Sequence, residues 1–388
     1  VYALECECDD VTHDIVAGAL RERVQFFPKL ASRELWRRVF SMGLQQPYMC
    51  AFERSYIIGR SLAPRHFRPP WSKRLRWLRW HVRHFPNALW LAHRLKELNV
   101  NHVHAQFAHI TASIAMIAAR LSGAAFSFTA HAYDIYAEPI LLAEKISRAK
   151  ALITCTRANL EYLMRELPNA HARMHLVYHG LLRCEIERFA SMRNCATKSD
   201  VRTIIFVGRL VAKKGIHILL HALACLKKYH NNVRCMIAGD GPMRSALERL
   251  AMQLGIDDCV VFVGAVPHWR MHEFYAMGDV LVVPSVVAPS GDRDGLPNVI
   301  LEAAAIGVPI IGSDVSGIPE FITDGETGLL VPPNDAHALA NAIEHLLSDD
   351  ELMAKLCDGA RQRLCEQFTA EENVLKLTRI WDACIANS

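Results

Sequence analysis

The stretch "VRTIIFVGRLVAKKG" (residues 201–215) decides the fold. Its centre, "TIIFVG" (203–208), is an apolar, β-branched run with the composition of a strand buried on both faces. An arginine, two lysines and a second glycine follow at once, so the strand runs into a basic turn suited to an anion. Further short runs of the same kind lie downstream: "VRCMIAG" (233–239), "CVVFVG" (259–264), "DVLVVPS" (279–285), "VPIIGS" (308–313) and "GLLVP" (328–332). Helical segments separate them, including 215–229 and 242–254.

Upstream the same alternation occurs in "VNHVHAQFA" (100–108), "AAFSFTA" (124–130), "AKALITCT" (149–156) and "RMHLVYHG" (173–180), with helices predicted over 111–121 and 159–167. Parallel strands need helical crossovers, so two such series predict two doubly wound, Rossmann-like α/β domains facing a cleft. The boundaries expected are 1–185 for the first domain, 186–200 for a hinge, 201–368 for the second domain and 369–388 for a helix crossing back to the first. The polar run "RCEIERFASMRNCATKSD" (183–200), where the pattern stops, is the basis for the hinge.

Composition agrees with an ordinary globular protein. The chain has 388 residues, 51% of them hydrophobic, and a net charge of +4. Its 12 cysteines form no CxxC pair and no zinc-finger spacing, which fits reduced thiols in the cytoplasm. No signal peptide is visible, and no run reads as a membrane span; Ile110–Ala130 comes nearest but Arg120 and Gly123 interrupt it.

The richest chemistry lies in "GDRDGLPNVILEAAAIGVPIIGSDVSGIPE" (291–320). Residues 294–298 are a turn feeding a helix, with Pro297 expected in its first turn. The amides of Leu296–Val299 then form an anion site at the helix N-terminus. Glu302 is placed to accept hydrogen bonds from a diol, and Asp294, eight residues earlier, from a second set of hydroxyls. With Arg209 and Lys214 these groups suit a diphosphate flanked by two sugars, that is, a nucleotide-sugar. The plainer alternatives are a surface basic loop and an ordinary helix start.

On these residues the chain resembles the retaining glycosyltransferases of family 4 (glycosyl transferases group 1), which have the GT-B fold. The family's strand–GRL–x3–KG element is matched by Gly208, Arg209, Leu210, Lys214 and Gly215, and its E-x7-E motif by Asp294 and Glu302. The resemblance implies that Arg209 and Lys214 bind the donor diphosphate, Asp294 takes sugar hydroxyls, and Glu302 takes the ribose. The following residues Gly295, Leu296, Pro297, Asn298 and Val299 would face the distal phosphate. The loops at "AGDGP" (238–242, with Gly241) and "FVGAVP" (262–267, with Val266) match further strand-end elements. His131, at the end of "FSFTA", matches a family histidine near the reacting sugar carbon, although a lone histidine is more often structural. Asp134 is expected to brace its loop.

Asp294 departs from the family's glutamate by one methylene. The family opens with a strand and a glycine-rich loop, and nothing in residues 1–20 resembles that loop, so the first domain is expected to lack both. The implied activity is sugar transfer, with retention, from a nucleotide-sugar to a glycan or lipid-linked acceptor in polysaccharide assembly. The rivals are a nucleotide-sugar-binding protein with an impaired site and another GT-B enzyme such as a phosphorylase. No cofactor and no metal are expected: "DRD" (292–294) has the form of a metal-binding DxD, but lysine and arginine already suit the diphosphate, and "HVH" (102–104) is no better a metal site.

Residues 54–96 carry eleven Lys/Arg and no Asp or Glu, and four of the seven tryptophans. Lys73, Arg76, Arg79 and Arg83 lie opposite Leu75, Leu78 and Val82 on a helical wheel. This predicts an amphipathic helix able to lie on an anionic membrane surface at the cytoplasmic face; a solvated hairpin is the plainer reading. No nucleic-acid motif accompanies the charge.

Overall fold

The computed structural model describes residues 2–3, 25–28, 32–64, 66–67, 69–192, 201–229 and 232–386. The chain divides into two compact units. The first comprises Val1–Cys155, Asn159–Val177 and Lys376–Ser388; the second comprises Thr156–Ala158 and Tyr178–Leu375.

In the first unit, β1 (Tyr2–Ala3) and β2 (Gln25–Phe26) form a short parallel pair. The loop missing from the sequence pattern of residues 1–20 falls, beyond β1, outside the described residues. The main sheet is parallel, in the order β3 (His102–Gln106), β4 (Ala125–Ala130), β5 (Ala151–Thr154), β6 (Met174–Leu176). β4 is buried at all six positions, which explains its unbroken apolar and small-residue run. Helix Ile110–Ser122 connects β3 to β4 and stops at Gly123, whose φ of 88° is the left-handed cap that glycine adopts without strain. From Lys376 on, the last helix (Ala370–Ala386) is part of this unit, with Cys384 packed against Ala151, Ile153 and Val177.

The basic stretch is divided between helices Pro47–Leu62 and Trp71–Glu97. Two of its tryptophans, Trp77 and Trp90, lie in the core and not at a surface. The buried face of the long helix is set by Trp77, His81, Ala88, Leu91 and Leu95, so Leu75 and Val82 are left exposed beside Arg76, Arg79 and Arg83.

The second unit holds β7 (Arg202–Val207), β8 (Val233–Ala238), β9 (Val260–Gly264), β10 (Val280–Val283), β11 (Ile310–Ser313) and β12 (Leu329–Val331). Every pairing is parallel, and the order across the sheet is β12-β11-β10-β7-β8-β9. Winding starts at β7, runs outward to β9, then restarts at β10 on the other side. The switch point of this doubly wound sheet therefore lies between β7 and β10, and ligands of such sheets sit outside the strand carboxyl ends at that point.

One boundary differs from the sequence reading. Residues 183–192, read as the start of an unpatterned hinge, form a helix of the second unit that buries Ile186 and Phe189 in its core. Two apolar residues one turn apart suffice to seat a short helix, although they leave little periodic signal. The rest of the expected hinge, 193–200, lies outside the described residues.

Candidate active site

The loops after β7 and β10 are built against each other. The Val286 amide donates to the Lys213 carbonyl at 2.8 Å. Gly215, with φ of 62°, is so close to the neighbouring loop that a Cβ would lie 1.8 Å from the Pro284 carbonyl oxygen. Only glycine meets both demands. The loop after β8 is held as tightly: a Cβ on Gly239 would lie 1.9 Å from the Gly208 carbonyl oxygen, while the Leu210 amide donates to the Asp240 carbonyl at 2.9 Å. Gly208 and Gly241 thus lie on adjoining backbone turns, and the Gly239 amide ties this layer to Gly264 at the end of β9. Val266, two residues on, is half-buried against the core of this unit.

This close packing collects charge at the switch point. Lys214 Nζ lies 2.8 Å from Asp294 Oδ2, and Lys213 Nζ lies 3.0 Å from Asp292 Oδ1 and 3.7 Å from Asp294 Oδ1. The Ser285 hydroxyl donates to Asp294 Oδ2 at 2.7 Å. Both carboxylates of the "DRD" sequence are therefore matched to lysines. The Arg209 side chain is exposed and makes no hydrogen bond or ion pair among the described residues; its carbonyl accepts from the Val211 amide at 2.9 Å. Lys213, Ser285 and Asp292 were not singled out as donor-site residues from the sequence. The strand-end position of Ser285 in "VLVVPS" was the available signal.

Helix Asn298–Ile306 starts one residue later than expected, with Pro297 as its N-cap at φ −67° and ψ 129°. The proline ring fixes φ, but the extended ψ keeps Pro297 outside the helix; no side chain caps this end. Asn298 and Val299 are the first helical residues, and Gly295 and Leu296 form the bend before them. Glu302 follows one turn in and accepts a hydrogen bond from the Tyr275 hydroxyl at 2.6 Å. Tyr275 is buried, and that burial, then the Glu302 carboxylate, holds its hydroxyl well above the usual range. Tyr275 was not foreseen, being separated from Glu302 by a whole strand. His179 hydrogen-bonds Asn298, and burial lowers its pKa.

His131 belongs to the first unit, at the carboxyl end of β4. Its Nε2 lies 3.3 Å from the Gln106 amide nitrogen and its Nδ1 3.6 Å from Cys155 Sγ. Its backbone N–H donates to Asp134 Oδ2 at 3.2 Å, and the same oxygen accepts from the Ala108 amide at 3.0 Å. Asp134 is buried, which raises its pKa, while the two amides work in the opposite direction. The histidines of "HVH" are engaged by Ser127 and Thr129, and His104 also by the Trp381 indole N–H at 3.2 Å.

Residues 188–363 match the family Glycosyl transferases group 1. The chain is 31% identical over 234 residues to an uncharacterized glycosyltransferase of Methanocaldococcus jannaschii, covering 58% of each chain. It is 36% identical over 175 residues to the lipopolysaccharide core biosynthesis glycosyltransferase LpsE of Rhizobium meliloti, covering 45% of this chain and 48% of that one. It thus spans about half the length of these curated relatives. Anabaena HepE, solved in complex with UDP-glucose, aligns with a TM-score of 0.63 at 19% identity over 77% of this chain and 82% of its own. The fold is GT-B, built from two Rossmann-like units. Over residues 188–363 the chain is thus similar to the family that its motifs resemble.

Proposed function

We propose that the protein is a retaining glycosyltransferase that moves a sugar from a nucleotide-sugar to a glycan or lipid-linked acceptor in polysaccharide assembly. The observation that carries this reading is the lysine–aspartate cluster at the β7/β10 switch point, where Lys213, Lys214, Asp292 and Asp294 converge. A diphosphate entering there exchanges the carboxylate partner of Lys214 for phosphate oxygens, and Arg209 adds a second cation. The freed Asp294 then accepts hydrogen bonds from sugar hydroxyls. The amides that begin helix Asn298–Ile306, which no side chain caps, suit the distal phosphate, because a helix N-terminus carries partial positive charge. Glu302, oriented by Tyr275, is suited to a ribose diol.

His131 is assigned to the reacting sugar, as a proton-transfer or charge-stabilising group. Its backbone is fixed by Asp134, so its ring is presented from a rigid turn. No metal is required in this scheme, since lysine and arginine supply the positive charge that the leaving diphosphate needs. HepE, a protein of the same fold, is solved with UDP-glucose, and LpsE is named for lipopolysaccharide core biosynthesis; both support a nucleotide-sugar donor and a glycan product. The exposed Arg79 and Arg83 beside Leu75 and Val82 support contact with an anionic membrane surface at its cytoplasmic face. No helix among the described residues is long and apolar enough to cross a membrane.

The direct test is release of free nucleotide from a panel of UDP-, GDP- and ADP-sugars, with and without saccharide acceptors. The proposal expects release from at least one donor, faster with acceptor and unaffected by a chelator. Binding of a donor without any release indicates an impaired, binding-only protein.

A further inference from the structure

Phe107, immediately after β3, has φ of 68°, a left-handed conformation that bulky side chains rarely adopt. Phe107 is 53% exposed, and its ring packs on the His131 imidazole, with centroids 4.7 Å apart and planes tilted by 46°. The strained turn is held from several sides. Thr111 Oγ1 bonds to the carbonyls of Gln106 and Phe107 at 3.0 and 3.1 Å. Asp134 ties the next amide, that of Ala108, to the His131 turn. Lys145, fully buried, donates to the carbonyls of Ala108, His109 and Ile140 at 2.6, 2.8 and 2.6 Å. Two of these three acceptors, Ala108 and His109, belong to the segment that follows Phe107.

A glycine at 107 would take the same backbone without strain, so the backbone conformation alone does not call for a ring. Strain of this kind persists where the surrounding structure over-determines it and clusters where ligands bind. The ring and the imidazole form an aromatic corner at the carboxyl ends of β3 and β4, with the exposed Gln106 amide at its edge. We propose that Phe107 is a specificity-determining residue, a stacking platform for a pyranose ring. A pyranose offers a face of C–H bonds to an aromatic plane and hydroxyls at its rim, which matches a ring bordered by an amide and an imidazole. The inference rests on the glycosyltransferase reading, and the sugar is either the donor's or the acceptor's.

Phe107→Gly, Phe107→Leu and Phe107→Tyr separate ring chemistry from backbone strain. Phe107→Gly is expected to melt within about 3 °C of wild type, since lost packing and relieved strain oppose each other. Its KM should rise about tenfold, while the Kd of free nucleoside diphosphate stays unchanged. A rise seen in donor hydrolysis without acceptor assigns the platform to the donor sugar; a rise only in the acceptor KM assigns it to the acceptor. Phe107→Leu, which keeps the strain and an apolar group, should show the same loss, and Phe107→Tyr should recover wild-type KM. If Phe107→Gly melts far lower, Phe107→Leu carries the comparison. Wild-type KM values in both Phe107→Gly and Phe107→Leu, or nucleotide affinity falling in step with KM, overturn the stacking role. A wild-type protein that turns over no donor overturns the glycosyltransferase reading and the stacking role with it.

Discussion

The Lys214 ammonium lies 2.8 Å from the Asp294 carboxylate, with the two side chains only 16% and 9% exposed. Each therefore carries the other's charge in a partly dry setting, and the Ser285 hydroxyl completes the site on Asp294. Two residues that separately suggest a phosphate ligand and a sugar ligand are one another's partner in the folded chain. In the proposed reading, binding of a nucleotide-sugar diphosphate divides this pair.

Asp294→Asn tests that relationship. The amide oxygen still accepts from Ser285, but Lys214 loses its counter-charge and becomes available to phosphate. Affinity for UDP or GDP alone is expected to rise about fivefold, near 1 kcal/mol. Turnover should fall by at least about tenfold, because a neutral amide makes weaker bonds to sugar hydroxyls. Calorimetry and nucleotide release measure the two effects. Unchanged nucleotide affinity would separate Asp294 from the phosphate site.

His131→Ala is expected to reduce turnover about a hundredfold while nucleotide affinity stays within about twofold of wild type. Within the first unit its neighbours are Gln106, Phe107 and Cys155. Equal losses in turnover and nucleotide binding would make His131 a binding or structural residue.

Acid sensitivity of the first unit should trace largely to His81. This imidazole is buried between Ser61 and Ser113, each 2.9 Å away, and Ser61 gives its own hydroxyl proton to the Ile57 carbonyl. Burial, reinforced by the Lys145 charge, lowers its pKa from 6.5 to about 3. The folded pKa lies below the unfolded one, so the unfolded chain binds a proton that the folded chain refuses. Stability is full above about pH 6.5 and falls as the pH drops toward 3, by up to about 1.4 kcal/mol per unit. His104 and His109, both lowered to about 4 chiefly by burial, act in the same direction. In urea unfolding between pH 7 and pH 4.5, His81→Gln should start less stable but show a shallower pH slope. An unaltered slope would exclude His81 as the source.

Membrane contact is best tested at Arg79 and Arg83. Arg76 and Lys73 are paired with Glu138, so reversing them would break contacts within the protein. Arg79→Glu with Arg83→Glu should abolish sedimentation with anionic vesicles, at about 1 kcal/mol lost per basic residue, and wild-type binding should weaken as salt rises. Equal binding to neutral vesicles, or by the double variant, would leave the stretch an ordinary solvated helix.

Much of this was legible along the chain. The strands β7 to β12 announce themselves as short apolar runs ending in Gly, Pro or Ser, and the basic turn after β7 marks the proposed anion site. The pairings were not legible, because Ser285 and Asp294 lie 70 to 80 residues beyond Lys214 and meet it only through the strand order. Helix Arg183–Met192 escaped because only Ile186 and Phe189 mark its buried face. The orientation of helix Trp71–Glu97 was hidden by His81, a polar residue on the buried face whose needs are met by two serines no periodicity could identify.

The most direct test of the central claim is calorimetric titration of wild type and Lys214→Ala with UDP, GDP and ADP. Lys214 is the cation nearest Asp294 at the switch point, and a charge-assisted bond to phosphate contributes about 1.5–3 kcal/mol. The account predicts that wild type binds at least one of these nucleotides and that a folded Lys214→Ala binds it about tenfold to a hundredfold more weakly. Equal affinity in the two proteins, or no binding by wild type, would contradict a nucleotide-sugar site at the β7/β10 switch point.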